Sequence, residues 1–328
     1  MTPPLFQLLA PRGLPPAGVD WARLASTAAA HGLAGVALAE ARRAGRPFPA
    51  AEEARLQHQS QAVAAQALRA SLLLGRLHRA FSAAGLVPVV LKGPPLAARC
   101  WPEPLLRPSV DVDLLLEPGA LPRARALLAE LGLAASAEAD HHEVFQGPAG
   151  MVELHHQLLS GLGATLDWTD LQPVQEGAWE GRAVRLLSPE DELVYLSVHA
   201  ANHLFRRCSW LYDLKLLLDA RGAWDWGRVV ALGEKTGFAV PLWAGLDAAQ
   251  RCFGARVDAA ALGQLSPPGP LRRLLTEAFT LERLERSAWA ESQLRAGALR
   301  AAMAATPRNA ARYAWGRLGR ATGGWGMG

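Results

Sequence analysis

The sequence predicts an α+β protein: a small mixed β-sheet with helices, preceded by an N-terminal helical segment and followed by a helical C-terminal domain. Three observations carry that expectation. Apolar β runs are short and confined to the middle of the chain, at 87–91, 110–116 and 151–155, with helical stretches between them. Before them the chain is alanine-rich, with Leu68, Leu72, Leu73 and Leu77 at helical spacing, which should face a core. After them, Ser188-Pro189-Glu190-Asp191 combines a serine cap, proline at the first position and acids in the first turn, a strong helix start. The expected divisions are residues 1–84, 85–187 and 188–328.

In chain order, one helix is expected over 21–44 and a longer one over 51–84, separated by the breaker Gly45-Arg46-Pro47. Within the middle segment a helix begins near Pro94-Pro95, where proline is tolerated in a first turn, and another runs from about 120 to Gly132. The C-terminal segment should hold helices over 209–220, 226–236, 240–253, 270–286 and 288–304. Pro267-Pro268-Gly269-Pro270 is the clearest linker. No internal repeat of solenoid length is visible.

The 328 residues suffice for two domains with real cores, and half of them are apolar, which excludes a disordered chain. The formal net charge of +4 does not by itself call for nucleic acid or a membrane surface. No segment reaches the roughly 18 apolar residues of a membrane span. Residues 1–16 are proline-rich and lack the basic start and apolar run of a signal peptide. Cys100, Cys208 and Cys252 are odd in number and scattered, as free thiols in a reducing compartment are. Together these features point to a cytoplasmic protein.

The positive charge is uneven. From Ser292 onward there is no acidic residue, while Arg295, Arg300, Arg308, Arg312, Arg317 and Arg320 recur among Tyr313, Trp315 and Trp325. Such a tail can hold nucleic acid, since aromatics stack and cations neutralise phosphate. The alternative, which we prefer, is an amphipathic helix packed on its own domain, with Tyr313 and Trp315 as anchors and a frayed glycine tail.

The chemistry gathers in the middle segment. Successive strand side chains point to opposite faces, so Asp111 and Asp113 project together, roughly 6–7 Å apart, while Val112 and Leu114 point into the core. A carboxylate pair of this kind suits Mg²⁺, with Mn²⁺ as a substitute, and supports in-line displacement at phosphorus. Glu153 alternates with Val152 and Leu154 and shares a face with His155; paired beside the Asp strand, it would be the third acid. The alternative is an Asp pair that caps a turn and a solvated glutamate. Lys92 sits beside Gly93 at a strand end in a chain whose only other lysines are Lys215 and Lys235. Arginine serves everywhere else, so this lysine has a task that composition does not explain. His199 and His203 stand four apart on one helix face, without the glutamate or third ligand of a zinc helix. They are expected to hydrogen-bond Asp213 or to line a cleft. Asp140-His141-His142-Glu143 suggests a metal phosphohydrolase, with a solvated turn as the preferred reading.

These motifs resemble the uncharacterised nucleotidyltransferase family of the polymerase-beta-like superfamily. The resemblance runs over Leu91-Lys92-Gly93, Arg107-Pro108-Ser109-Val110-Asp111-Val112-Asp113-Leu114, Leu131-Gly132, Val152-Glu153-Leu154-His155 and Ser188-Pro189-Glu190-Asp191, then through His199, His203 and Asp213. It covers most of residues 50–240. It implies a nucleotidyltransferase-like core in which Asp111, Asp113 and Glu153 are catalytic and bind metal. Lys92 and Gly93 stand where the superfamily has a phosphate-contacting Gly-Ser turn, and Arg107 and Ser109 join them in binding the nucleotide. His155, His199, His203 and Asp213 would lie on the acceptor side. The implied activity moves a nucleoside monophosphate from a nucleoside triphosphate to an acceptor hydroxyl on a small molecule, protein or RNA. The rival readings are a catalytically silent binding module of the same fold and a metal phosphohydrolase.

Overall fold

The computed structural model of the chain describes residues 2–11, 13–139, 141–286, 293–304 and 306–321. The expected α+β class holds: a mixed sheet with helices at both ends. The proline-rich start, for which no helix was expected, forms α1 (Pro4–Leu9), whose Leu5, Phe6, Leu8 and Leu9 are buried. The single helix expected over 21–44 is two, α2 (Trp21–Ala30) and α3 (Ala34–Arg43). A buried histidine explains the break. His31 accepts a hydrogen bond from the Cys208 N–H at Nδ1 (3.1 Å), so its Nε2–H donates to the Glu285 carbonyl (2.8 Å). Gly32 turns the chain at φ +72°, where an added Cβ would lie 2.6 Å from Pro108 Cγ.

The long helix α4 (Ala50–Ala83) forms as expected, but its buried stripe differs. Leu73 and Leu77 are in the core, whereas Leu68 and Leu72 are 49% and 62% exposed. The stripe runs through Ala67, Ala70, Leu74, Leu77 and Phe81 at three- and four-residue steps. Alanines carry its first half, so leucine spacing alone placed the face one position off.

There follow β1 (Val89–Val90), α5 (Pro94–Cys100), β2 (Asp111–Leu115), α6 (Leu121–Glu130), β3 (Ala134–Glu138), β4 (His142–Gly147) and β5 (Gly150–His155). A small hairpin, β6 (Leu159–Gly161) and β7 (Ala164–Leu166), precedes β8 (Gln175–Trp179) and β9 (Arg182–Leu186). Only β1, β2 and β5 were expected. The other strands carry little apolar alternation; β3 is exposed along its whole length. Seven strands make one sheet in the order β3-β4-β5-β2-β1-β9-β8. β2 lies at its centre, parallel to β5 and antiparallel to β1.

The C-terminal region begins with α7 (Pro189–Asn202), where Ser188 Oγ accepts the Asp191 N–H as its sequence implies. α8 (Cys208–Asp219), α9 (Trp226–Thr236), α10 (Ala239–Phe253) and an unexpected α11 (Ala259–Leu265) follow. The helix expected over 270–286 is interrupted at Thr280, whose side chain caps a new helix, giving α12 (Gly269–Ala278) and α13 (Leu281–Glu285). Pro267-Pro268-Gly269-Pro270 therefore joins two neighbouring helices of the same region. Last come α14 (Gln293–Met303) and α15 (Pro307–Ala321). The expected start of the first of these near 288, Trp325, Asp140 and the glycine tail lie outside the described residues. Trp315 is 79% exposed, which corrects its expected role as an anchor, whereas Tyr313 lines the cleft described below.

The sheet separates two cores. One face packs Val112, Leu114, Val152 and Leu154 against α4 and α6. Each such buried side chain contributes roughly 1.5–3 kcal/mol. The other face carries Leu115 into a larger core with α1–α3 and the C-terminal helices. Because strand residues alternate, that packing pushes Asp111, Asp113, Glu153 and His155 onto the face that meets α7 and α8. No helix among the described residues is long and apolar enough to cross a membrane.

Candidate functional site

The pairing of β2 with β5 brings the acids together. Asp113 is in register with Glu153, and Leu115 with His155, so the β5 residues stand directly beside the Asp strand. Asp113, Glu153 and His155 offer ligand atoms within 4.8 Å of one another. Asp111, two residues earlier on the same face, opens onto a cleft of about 690 Å³. That cleft is walled by β2, β4 and β5 on one side and by Tyr195, His199 and His203 of the C-terminal region on the other. Asp113 lies beneath its floor, fully buried, with Lys92 Nζ 3.1 Å and His155 Nε2 3.5 Å from Oδ1 and no donor on Oδ2. A buried carboxylate is costly unless cations and donors satisfy it, and Oδ2 is left for one. The donor set of two aspartates and a glutamate fits a hard divalent cation such as Mg²⁺.

Lys92 supplies positive charge inside the site. The chain leaves β1 at Leu91, and Gly93 takes φ +77°, a conformation that favours glycine, before Pro94 starts α5. This bend places Lys92 Nζ 3.1 Å from Asp113 Oδ1 and 3.8 Å from Asp111 Oδ2. The ammonium thus sits on the carboxylate pair itself. Burial alone would lower the Lys92 pKa, but Asp113 and Asp111 together hold it well above its ordinary value.

The same charges set the neighbours. Burial, then the charge of Asp113, raises the pKa of Asp111. Glu153 is pushed up by burial, yet its hydrogen bond with His155 and the charge of Lys92 prevail and bring it down to about 2. His155 is disfavoured as a cation by burial, but its contacts with Asp113 (3.5 Å) and Glu153 (3.6 Å) raise it overall. A carboxyl depressed on folding stabilises the fold above its unfolded value near 4.5 and loses that contribution as pH falls toward 2. Acid titration of stability in that window should therefore be shallower in Glu153→Gln than in the wild-type protein, as followed by tryptophan fluorescence.

The chain belongs to the uncharacterised nucleotidyltransferase family. The model of that family matches residues 17–254, well over half of the sequence. The chain is also similar to two solved structures of ANT(2'')-Ia: a solution structure of this antibiotic-resistance factor and a crystal structure in complex with adenylyl-2''-tobramycin. Each is 16% identical, covers 50% of this chain and superposes with a TM-score of 0.39; the matches span 89% and 94% of those chains. No curated protein matches. The match runs from α2 through the sheet to α10, so the family's shared unit includes helices before and after the sheet in the chain.

Within this member of the family, several of these residues have partners that the sequence did not show, while Arg107 also lines the cleft. Arg107 is buried and binds Asp213 in a fork, Nε to Oδ1 and Nη2 to Oδ2, both at 2.9 Å. Its Nη1 donates to Ser109 Oγ and the Pro108 carbonyl. Trp101 Nε1 also donates to Asp213, at 2.7 Å. Asp213 is thus committed to Arg107 and Trp101, not to His199 or His203 as expected. Those two histidines do line the cleft, in tilted contact with each other and in tilted and edge-on contact with Trp210, ring centroids 4.7–5.3 Å apart. Burial, then Lys92, keeps His199 well below its ordinary pKa and takes His203 to about 4. Ser109 is buried behind Arg107.

The preferred turn reading of Asp140–Glu143 fails at its histidines. His141 and His142 line the cleft, and His142 opens β4 opposite His155. Glu143 pairs instead with Arg125 outside the cleft. The signal that could have found them is the hairpin: counting back from the turn at Gly147 and Gly150 sets His142 against His155. Tyr195 and Arg206, also in the cleft wall, carried no motif, and Arg300, which the sequence marked only as part of the basic tail, lines it too.

Proposed function

We propose that this chain is a Mg²⁺-dependent nucleotidyltransferase of the polymerase-beta-like superfamily, acting in the cleft between residues 85–187 and the helical region 188–328. The observation that carries the reading is the parallel register that sets Glu153 beside Asp113, with Asp111 on the same face and Lys92 on the pair. In the reaction, an acceptor hydroxyl attacks the α-phosphorus. Its new O–P bond forms as the bond to the β-phosphate bridging oxygen breaks, and pyrophosphate leaves. Asp111, Asp113 and Glu153 would hold Mg²⁺, or Mn²⁺, which supplies charge neutralisation at the phosphates. Glu153 is ionised at neutral pH and can accept the hydroxyl proton, but a carboxylate held so low is a better ligand than base. Arg206, Arg207 and Arg300 line the cleft and suit a polyphosphate. Arg107, with its fork spent on Asp213, positions the wall through Ser109 and α8 rather than touching nucleotide. The acceptor is a hydroxyl of a small molecule, protein or RNA. With three cysteines free, a cytoplasmic setting fits the same reading.

Lys92 separates this proposal from a silent binding module, which the ion pairs favour because they neutralise the acids without a metal. In the enzyme, Asp111 and Asp113 would hold the ion, and Lys92 would then be free to meet the triphosphate. Lys92→Ala is then expected to bind Mg²⁺ more tightly than wild type and nucleoside triphosphate more weakly, by about 1.5–3 kcal/mol. Lys92→Arg, a longer planar fork, should recover only part of the nucleotide affinity. Calorimetric titration of the three proteins with Mg²⁺, then with nucleotide at fixed Mg²⁺, checks both. Equal affinities across the series would leave Lys92 a structural counter-ion and support the silent module.

A further inference from the structure

A second cluster, on the β4 side of the cleft, is built from imidazoles. His141, His142 and His155 offer ligand atoms within 4.8 Å of one another. Their ring centroids are 4.5, 5.4 and 4.9 Å apart pairwise. Nδ1 of all three is shielded from solvent and has no hydrogen-bond partner, while Nε2 of His155 faces only the carboxylates of Asp113 and Glu153, at 3.5 and 3.6 Å. His155 itself is 2% exposed. Polar nitrogens are rarely left so, and three at one point on a cleft wall indicate a missing common partner.

We infer that His141, His142 and His155 form a binding site for a transition-metal ion of the zinc class, distinct in chemistry from the carboxylate site beside it. The strand register builds the site: His142 and His155 are cross-strand partners, and His141 lies just before β4. Imidazole selects Zn²⁺, Co²⁺, Ni²⁺ or Fe²⁺, whereas carboxylates suit Mg²⁺. Metal–nitrogen bonds of about 2.0–2.1 Å put tetrahedral ligands roughly 3.3 Å apart, so small ring rotations close the cluster. Three protein ligands leave a fourth position open to the cleft. Glu153 is next to it, with Oε1 3.8 Å from His142 Nε2 and Oε2 3.6 Å from His155 Nε2. One glutamate therefore faces both sites and is placed to bridge them.

Co²⁺ is the probe, because its visible absorption reports coordination. The wild-type protein is expected to take up Co²⁺ with an intense four- or five-coordinate band that persists in a large excess of Mg²⁺. His141→Ala and His142→Gln should each weaken Co²⁺ binding at least tenfold. Asp113→Asn should keep the Co²⁺ band whether or not the carboxylate site is catalytic, which separates this inference from the proposed activity. His141 lies outside the strand ladder, so its variant keeps the test available if His142→Gln does not fold. No Co²⁺ band in the wild-type protein, or unchanged affinity in His141→Ala, would overturn the inference.

Discussion

Asp113→Asn is expected to reduce Mg²⁺-dependent nucleotide transfer by about 10²–10³-fold or more, the scale of losing one preorganised electrostatic contact at a reacting phosphate. The cause is local. Asp113 is the fully buried member of the acid set, at the point where Lys92 and His155 converge on its Oδ1 and its Oδ2 has no donor. The amide keeps the side-chain volume, and Lys92 retains Asp111 at 3.8 Å, so the fold should survive. Asp111→Asn, on the more open carboxylate, should act in the same direction. Transfer assays beside far-ultraviolet circular dichroism check this: a folded Asp113→Asn protein with wild-type transfer would remove Asp113 from the chemistry. Glu153→Gln is expected to lose transfer while keeping nucleotide binding, because on the proposed mechanism Asp111 and Asp113 would still hold the first ion.

The largest stability effect is expected at Asp213. Its carboxylate takes both arms of the Arg107 fork and the Trp101 indole N–H, with both charged side chains buried. Asp213→Ala strands a buried guanidinium, and breaking a buried pair from one side costs about 3–5 kcal/mol. Removing both charges together, in Arg107→Met with Asp213→Leu, should cost less than Asp213→Ala alone, because no ion is left unpaired. Urea denaturation of the single and double variants measures this. A double variant at least as destabilised as the single would show that the pair stabilises the fold by more than mutual neutralisation.

The acids were legible because strand alternation fixes which face a residue takes, and Asp111, Asp113 and Glu153 obey it on strands whose other faces are strongly apolar. Lys92 was legible through its rarity, though its seat on the aspartates needed the Gly93 bend to be seen. The pairing of Arg107 was missed for a reason of distance. Its partner Asp213 lies 106 positions away on α8, and no local pattern announces a pair that only tertiary packing creates. The edge strands escaped for the opposite reason: β3 and β8 are mostly exposed, so nothing apolar marks them. The missed break at His31 likewise depends on Cys208 and Glu285, both far along the chain.

Transfer of a nucleotidyl group in the acid-lined cleft is open to a single labelling experiment, in which the protein is incubated with Mg²⁺, a cell extract and nucleoside triphosphates labelled in parallel at the α- or the γ-phosphate. The α-label is expected to pass to an acceptor while the γ-label leaves as pyrophosphate, and both events should require Mg²⁺ and disappear in Asp113→Asn. Release of the γ-label as inorganic phosphate with no α-label on any acceptor would contradict it.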